Sequence, residues 1–179
     1  MKLFSKYIGD LFIPVQFYRV VGICILFFIL SFYFPPLLIV PKIMWYLILV
    51  LTAIDYFFLF FAGGDPTAKR VMAERFSNGD DNKVTLQVTN NKPFEVAMEI
   101  IDELPEQFQK RDWQLNEQFK PAQLKKLLYT VKPCERGEYN FGNIILFVQS
   151  GLGLLMRRYT IDAAAMVQVF PSFMQLRKY

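Results

Sequence analysis

The chain has 179 residues, of which 54% are apolar, 17% aromatic and only 20% charged, and its mean hydropathy of +0.25 is high for a soluble enzyme. It contains no His and two Cys, which removes His-based triads, His-ligated metals and Cys-cluster ligation. The formal net charge of +4 is spread thinly, with 16 Lys+Arg against 13 Asp+Glu from Pro66 onward, so no basic block with interleaved aromatics nominates a nucleic-acid partner.

The apolar excess is concentrated at the N-terminus, where eleven of the 19 Phe precede residue 62. Two stretches, Leu11–Phe34 and Ile43–Phe61, run for 24 and 19 residues. Each matches the roughly 20 residues that cross ~30 Å of hydrocarbon. The first is too long, and ends in the wrong residues, for a cleaved signal peptide. Pro35-Pro36 stops the first helix and Pro41 opens the second, so the two spans form an antiparallel hairpin closed by Pro35 to Lys42. Tyr33, Trp45 and Tyr46 are expected among headgroups at the closed end.

Lys2, Lys6 and Arg19 on the N-terminal side, and Lys69, Arg70 and Arg75 after the second span, outnumber Lys42 in the loop. The positive-inside rule then puts both termini in the cytoplasm. Two ionisable residues fall within the apolar stretches. Counted from the middle of the loop near Leu38, Arg19 and Asp55 reach nearly the same depth, which predicts an intramembrane ion pair. Arg19 snorkelling alone is the alternative, and an Asp55-dependent ion path is a third that requires several copies.

The chain divides at residue 65, with an N-terminal segment and transmembrane hairpin over 1–65 and a β-rich domain over 66–179. After the SNGDDN turn, Val84, Leu86 and Val88 alternate with polar residues, and so do Val96, Met98 and Ile100. Joined by Asn90-Asn91-Lys92-Pro93, these runs predict a β-hairpin with one buried face. Further strands are expected at 113–115, 127–132, 138–148, 155–160 and 163–170, while 121–128 is ambiguous between strand and helical turn. TAKRVMAERF, from Thr67 to Phe76, reads as a short helix or a first strand. The expected fold is membrane-anchored and mainly β, a two-helix transmembrane hairpin followed by an immunoglobulin-like β-sandwich.

Within the β domain, Asp102, Glu103 and Pro105 read as a solvated acidic turn, with Arg136 as a surface partner for either carboxylate. Gly137 and Gly142 bracket a strand in which Tyr139 and Phe141 share a core face. Arg157 and Arg158 read as a solvated strand edge or as contacts to anionic lipid or a partner. SGLGLL, from Ser150 to Leu155, lacks phosphate-loop and dinucleotide spacing. No spaced nucleophile and base stand out, so no catalytic, cofactor or metal residue is expected.

The order and spacing of the basic-flanked hairpin, ERFSNGDDNKVTLQVTNNKP, DELP, VKPCERGEYNFGNIIL, SGLGLL and VFPSF resemble the N-terminal half of the DUF58 family of bacterial membrane proteins. The resemblance covers nearly the whole chain. It implies the bacterial cytoplasmic (inner) membrane, the lipid bilayer as one partner, and MoxR-type AAA+ ATPases and von Willebrand factor A-domain proteins as others. It implies a non-catalytic interaction or assembly module; a regulatory subunit or gate of a transport system is the competing expectation. Two departures stand out: Gly151 occupies a position where the family usually has Pro, and the family's A-like domain is absent from the sequence ending at Tyr179. The chain is then either a natural short protein or one piece of a longer product.

Overall fold

The computed structural model describes residues 9–109 and 113–171. Lys2, Lys6, Ser172 and Phe173, which enter the readings above, lie outside the described residues. A two-residue strand, β1 (Leu11–Phe12), precedes helix α1 (Val15–Tyr33); a 3₁₀ turn (Pro35–Leu38) leads into helix α2 (Ile39–Phe61). The helices contain 19 and 23 residues, or about 28 and 35 Å at 1.5 Å per residue. Both are long and apolar enough to cross a membrane.

Few positions on the helices are buried. Cys24 and Ser31 on α1, and Pro41 and Ile48 on α2, each pair seven residues apart, form the seam of the two packed helices, whereas Asp55 and Leu59 are buried against the β domain. The Cys24 thiol donates to the Pro41 carbonyl at 3.6 Å, which fixes their relative register. The chain reverses at Phe34–Pro35, and Pro35–Leu38 already runs back along α1. Trp45 lines a groove with Phe17 and Ile48, partway along the hairpin instead of at its closed end.

The β domain is a sandwich. One layer is a five-stranded sheet in the order β1-β10-β9-β5-β6; the other consists of two three-stranded sheets, β2-β4-β7 and β3-β11-β8. The strands are β2 (Thr67–Met72), β3 (Arg75–Ser77), β4 (Asn82–Thr89), β5 (Val96–Asp102), β6 (Gln114–Phe119), β7 (Leu124–Val131), β8 (Gly137–Phe141), β9 (Ile144–Ser150), β10 (Met156–Ile161) and β11 (Ala165–Phe170). Alternation creates the core: Val84, Leu86 and Val88 of β4 are buried in one cluster with Met98, Ile100, Leu146 and Val148 of the opposite layer. Each such side chain contributes about 1.5–3 kcal/mol by leaving water.

Two expectations change. β4 and β5 do not pair as a hairpin: β4 pairs with β2 and β7, and β5 with β6 and β9. Asn90 makes the corner between layers, its buried amide donating to the Phe94 and Lys120 carbonyls at 3.0 Å each. The run 138–148 is two strands broken at Gly142–Asn143. Of the two readings of 67–76 the strand holds, as β2 and the start of β3. The ambiguous 121–128 segment is a tight turn followed by β7.

In that turn, Gln123 N–H donates to the Lys120 carbonyl at 3.2 Å, Pro121 takes the second position and Ala122 the third, at φ 53°. Pro followed by a left-handed residue is the pattern of a type II turn, whose third position favours Gly. Ala122→Gly is therefore expected to stabilise the protein by about 0.5–1 kcal/mol, the left-handed cost less the extra entropy of Gly. A rise in the denaturation midpoint of the detergent-solubilised chain checks it.

Candidate functional site: a polar clasp on the second helix

The most unusual chemistry lies where α2 meets the sandwich. Asp55 is 0% exposed, although its helix is otherwise almost entirely apolar. Its carboxylate accepts from the Leu154 N–H at 2.9 Å, the Leu155 N–H at 2.8 Å and the Ser150 hydroxyl. Ser150 is the last residue of β9, and Leu154 and Leu155 lie in the connection from β9 to β10. Ser150 has a second part in the loop, since its oxygen accepts from the Leu152 N–H at 3.1 Å.

One turn beyond Asp55, Leu59 is 0% exposed and belongs to the sandwich core. One face of the last turns of α2 thus packs into the β domain, while Phe57, Phe58 and Phe61 stay exposed. The carbonyls of those turns, which have no partners within the helix, face two cations. Arg157 donates to the Leu59 carbonyl at 3.2 Å and Lys92 to the Ala62 carbonyl at 3.1 Å. The Arg157 guanidinium lies 4.4 Å from the Phe60 ring centroid and 4.5 Å from that of Tyr159. Burial, and next the positive charge of Arg157, pull the Lys92 ammonium below its ordinary range, with Asp65 opposing. Gly63, at φ 82°, makes the exit turn; a Cβ there would stand 2.5 Å from Pro93 Cδ.

Arg19 is not Asp55's partner. It is exposed, and Asp55 is occupied by the β9–β10 connection. The equal-depth count fails because the chain turns at Phe34–Pro35: Arg19 lies 15 residues before Phe34, whereas Asp55 lies 20 after Pro35. Five further residues correspond to about 8 Å of helix. Arg157 is not a solvated edge residue either, being 4% exposed. Arg158 is partly exposed, 3.9 Å from Asp10 and 5.5 Å from the Phe12 ring.

A second buried node sits inside the sandwich. Asp102 is 2% exposed and so is no solvated turn residue. Arg70 holds it through Nε at 3.1 Å from both oxygens and through its terminal nitrogen, and also donates to the Ala163 and Gly142 carbonyls at 2.6 and 3.0 Å. The Tyr129 hydroxyl donates to Asp102 at 2.5 Å. Burial foremost, and then the Asp102 charge and hydrogen bond, push the Tyr129 phenol far above its ordinary value. Arg136, the expected partner, is exposed and away from Asp102. Glu103 instead holds the neighbouring turn, accepting from the Asn143 N–H at 2.7 Å, and Gly142 is needed because Glu103 packs where a Cβ would stand. Pro105 is buried ahead of a short 3₁₀ turn. Tyr139 is 1% exposed and its hydroxyl donates to the Glu135 carbonyl at 3.0 Å; Gly137 opens β8 at φ 137°.

Asp102 borders a small open cavity of about 280 Å³ beside Glu103 and Pro105, yet both buried carboxylates are held by donors of their own chain. A separate cavity of about 530 Å³ opens beside the clasp, lined by Gln16, Glu95, Gln118, Lys120, Lys125 and Gln149 among others. Among the described residues, no group of three or more His, Cys, Asp or Glu side chains is placed to hold a metal. Cys134 is an exposed free thiol, and Cys24 a buried one.

No protein-family model matches the chain, and no curated protein matches it in sequence. Among solved structures it is similar to the CARDB domain of the PF1109 protein from Pyrococcus furiosus, with 14% identity over 63% of this chain and 98% of that one at a TM-score of 0.45. It is also similar to the ASH/PapD-like domain 7 of human CEP192, with 10% identity over 62% of this chain and 88% of that one at a TM-score of 0.44.

Asp55→Ala leaves two buried N–H groups and a hydroxyl without their acceptor, at about 1–3 kcal/mol for each unsatisfied group. It is expected to lower stability strongly and to expose the Leu154 and Leu155 amides to hydrogen exchange. The same loss is expected in an Arg19→Leu background, with a coupling energy below about 0.5 kcal/mol. For Tyr129, a phenol raised above its unfolded value near 10 lends stability below that pH, and this is lost progressively as pH rises above it. Denaturation midpoints measured from pH 8 to 12 should therefore fall, and the Tyr129→Phe protein should show a shallower fall.

Proposed function

We propose that this chain is a membrane-anchored, non-catalytic interaction or assembly module of the bacterial cytoplasmic membrane. In this reading α1 and α2 span the bilayer and the sandwich stands on its cytoplasmic side. The observation that carries it is the clasp: Asp55, Leu59 and Ala62 of α2 or its exit turn are each gripped by the β domain. A domain joined to its anchor by buried hydrogen bonds presents its strand edges at a fixed attitude. A flexible tether would not do this. β6 ends the five-stranded sheet and offers main-chain groups for strand addition by a partner.

The resemblance to the DUF58 family supplies the class of partner, a MoxR-type AAA+ ATPase together with von Willebrand factor A-domain proteins. The transport alternative receives less support, since it needs Asp55 to face a polar path and the carboxylate is already saturated within the chain.

Two measurements test this reading. A single Cys at Asp80, in a Cys-free background, is expected to resist impermeant thiol reagents in sealed, right-side-out vesicles and to react after permeabilisation; labelling of sealed vesicles would reverse the orientation. Photo-crosslinkers at Asn116 and Gln118 of β6 are expected to capture a MoxR-type ATPase encoded beside this gene. Capture of that ATPase at an equal level by crosslinkers at Lys83, on the opposite layer, would remove the edge-specific reading.

A further inference from the structure

The outer face of the sheet β2-β4-β7 carries charge of one sign. Strand register sets its side chains in rows: Thr67, Thr89 and Leu124 stand side by side nearest the end of α2, then Lys69, Gln87 and Lys126, then Val71, Thr85 and Leu128. The intervening residues, Leu86 and Val88 among them, fill the core, so strand alternation sends these rows outward. Val71, Leu124 and Leu128 are 43%, 51% and 61% exposed, and Lys69 and Lys126 are exposed with them. No carboxylate occupies an outward position on these three strands, and among the described residues neither lysine forms an ion pair. The third lysine of the face, Lys83, sits at its far end, two residues after the exposed Asp81, so the uncompensated pair is Lys69 and Lys126.

Spacing narrows the occupant. Lys69 and Lys126 are separated by β4, which puts them about 10 Å apart with the neutral Gln87 amide between them. Val71 and Leu128 repeat that separation in the next row, about 7 Å farther along the strands. Seven residues of α-helix rise about 10 Å and return to nearly the same face, whereas same-face residues of an extended segment fall at about 7 and 13 Å. A helix laid across the strands therefore matches both rows at once, with apolar residues seven apart over Val71 and Leu128 and carboxylates seven apart on its flank over Lys69 and Lys126. A bilayer does not. Val71 and Leu128 lie one row farther from the end of α2 than the lysines, and elements that lie on a membrane carry their apolar side chains deeper than their cations.

We propose that this face receives an amphipathic α-helix of a partner protein, which crosses β2, β4 and β7 with its apolar stripe on Val71 and Leu128 and an acidic flank on Lys69 and Lys126. The inference rests on the interaction-module reading and adds to it a second surface, in the layer opposite the β6 edge. Charge supplies the choice of partner, and the apolar row supplies area to bury.

Fluorescence anisotropy with the full chain in uncharged detergent tests this. The probe is a labelled helical peptide of about 20 residues in which Leu, and on the adjoining flank Glu, recur every seven residues. The expected result is saturable binding of one peptide per chain, weakened by added salt and weakened about tenfold in Lys69→Gln/Lys126→Gln. Leu128→Thr is expected to weaken it as well. All three side chains are exposed, so the denaturation midpoint is expected to stay unchanged, which keeps the test independent of folding. Lys69→Glu/Lys126→Glu is expected to bind a second peptide that carries Lys in place of its Glu flank. No saturable binding, equal binding of the first peptide by the Gln double variant, no recovery in the charge-swapped pair, or equal binding of a scrambled peptide would each overturn the proposal. Lys126→Cys in a Cys-free background reads the membrane directly: protection of its thiol by phosphatidylglycerol bilayers, with none by the peptide, would assign the face to lipid and overturn the proposal. Crosslinking at β6 reads the other surface separately. Loss of capture there with peptide binding intact removes the edge alone, whereas capture there without charge-dependent peptide binding removes this face alone.

Discussion

The structure depends on a carboxylate that has no cationic partner among the described residues. Asp55 sits where α2 passes from its apolar length into the sandwich, and it is satisfied by a hydroxyl and two backbone N–H groups of one loop. A buried carboxylate with fewer donors would be costly, and the N–H groups of Leu154 and Leu155 would be costly without an acceptor. Each therefore requires the other. This mutual requirement brings the β9–β10 connection to α2, brings Arg157 to the Leu59 carbonyl, and lets Leu59 enter the core.

The two buried acids use different solutions for different tasks. Asp102 is held by Arg70 through a bidentate, charge-balanced contact that also gathers the Ala163 and Gly142 carbonyls and the Tyr129 hydroxyl. It thereby joins β2, β5 and β7 to the loops after β8 and β10. Such a pair contributes little net stability over an apolar packing, but removal of one partner is severe, near 3–5 kcal/mol, so it specifies how the strands meet more than it strengthens them. Asp55 joins segments about 95 to 100 residues apart in the chain through donors that carry no charge. Its loop must take one conformation to satisfy it, which orders SGLGLL without any ligand.

Much of the architecture is legible in the sequence because it follows from periodicity. Unbroken apolar runs bounded by prolines give the helices, and alternation in 84–88 and 96–100 gives strands with one buried face each. What periodicity does not carry is pairing. β4 and β5 have the composition of a hairpin, yet the connection includes Lys92, whose ammonium reaches the α2 terminus, and Asn90, whose amide spans two carbonyls; these long-range bonds have no local signature. Arg70 had a faint one, since it shares inward parity with Ala68 and Met72 on β2. Asp55 was conspicuous as an acid in an apolar helix, but the nearest-looking cation drew attention away from SGLGLL, two of whose three donors are backbone groups identical in every sequence. Buried cations such as Arg157 escape for a related reason: two adjacent arginines look alike in sequence, and strand alternation sends one inward and leaves the other at the surface.

The clasp also fixes the free ends of the two layers relative to the helices. On the side away from β1, the two layers end in β6 and β7, which run from one tight turn and are bridged by Glu117 and Lys125 at 2.7 Å. Lys125 also lies 5.3 Å from the Phe119 ring centroid, so the bridge covers the end of β6 nearest α2. Farther from α2, Gln114 and Asn116 carry no cover by that pair. On the outer face of β7, Leu124 and Leu128 are 51% and 61% exposed with Lys126 between them, an apolar row with one cation. Because one face of the last turns of α2 packs into the domain, neither surface can swing relative to the helices without breaking the Asp55 bonds. A rearrangement of the two helices that keeps the Asp55 bonds therefore moves the edges at β6 and β7 with them as one body.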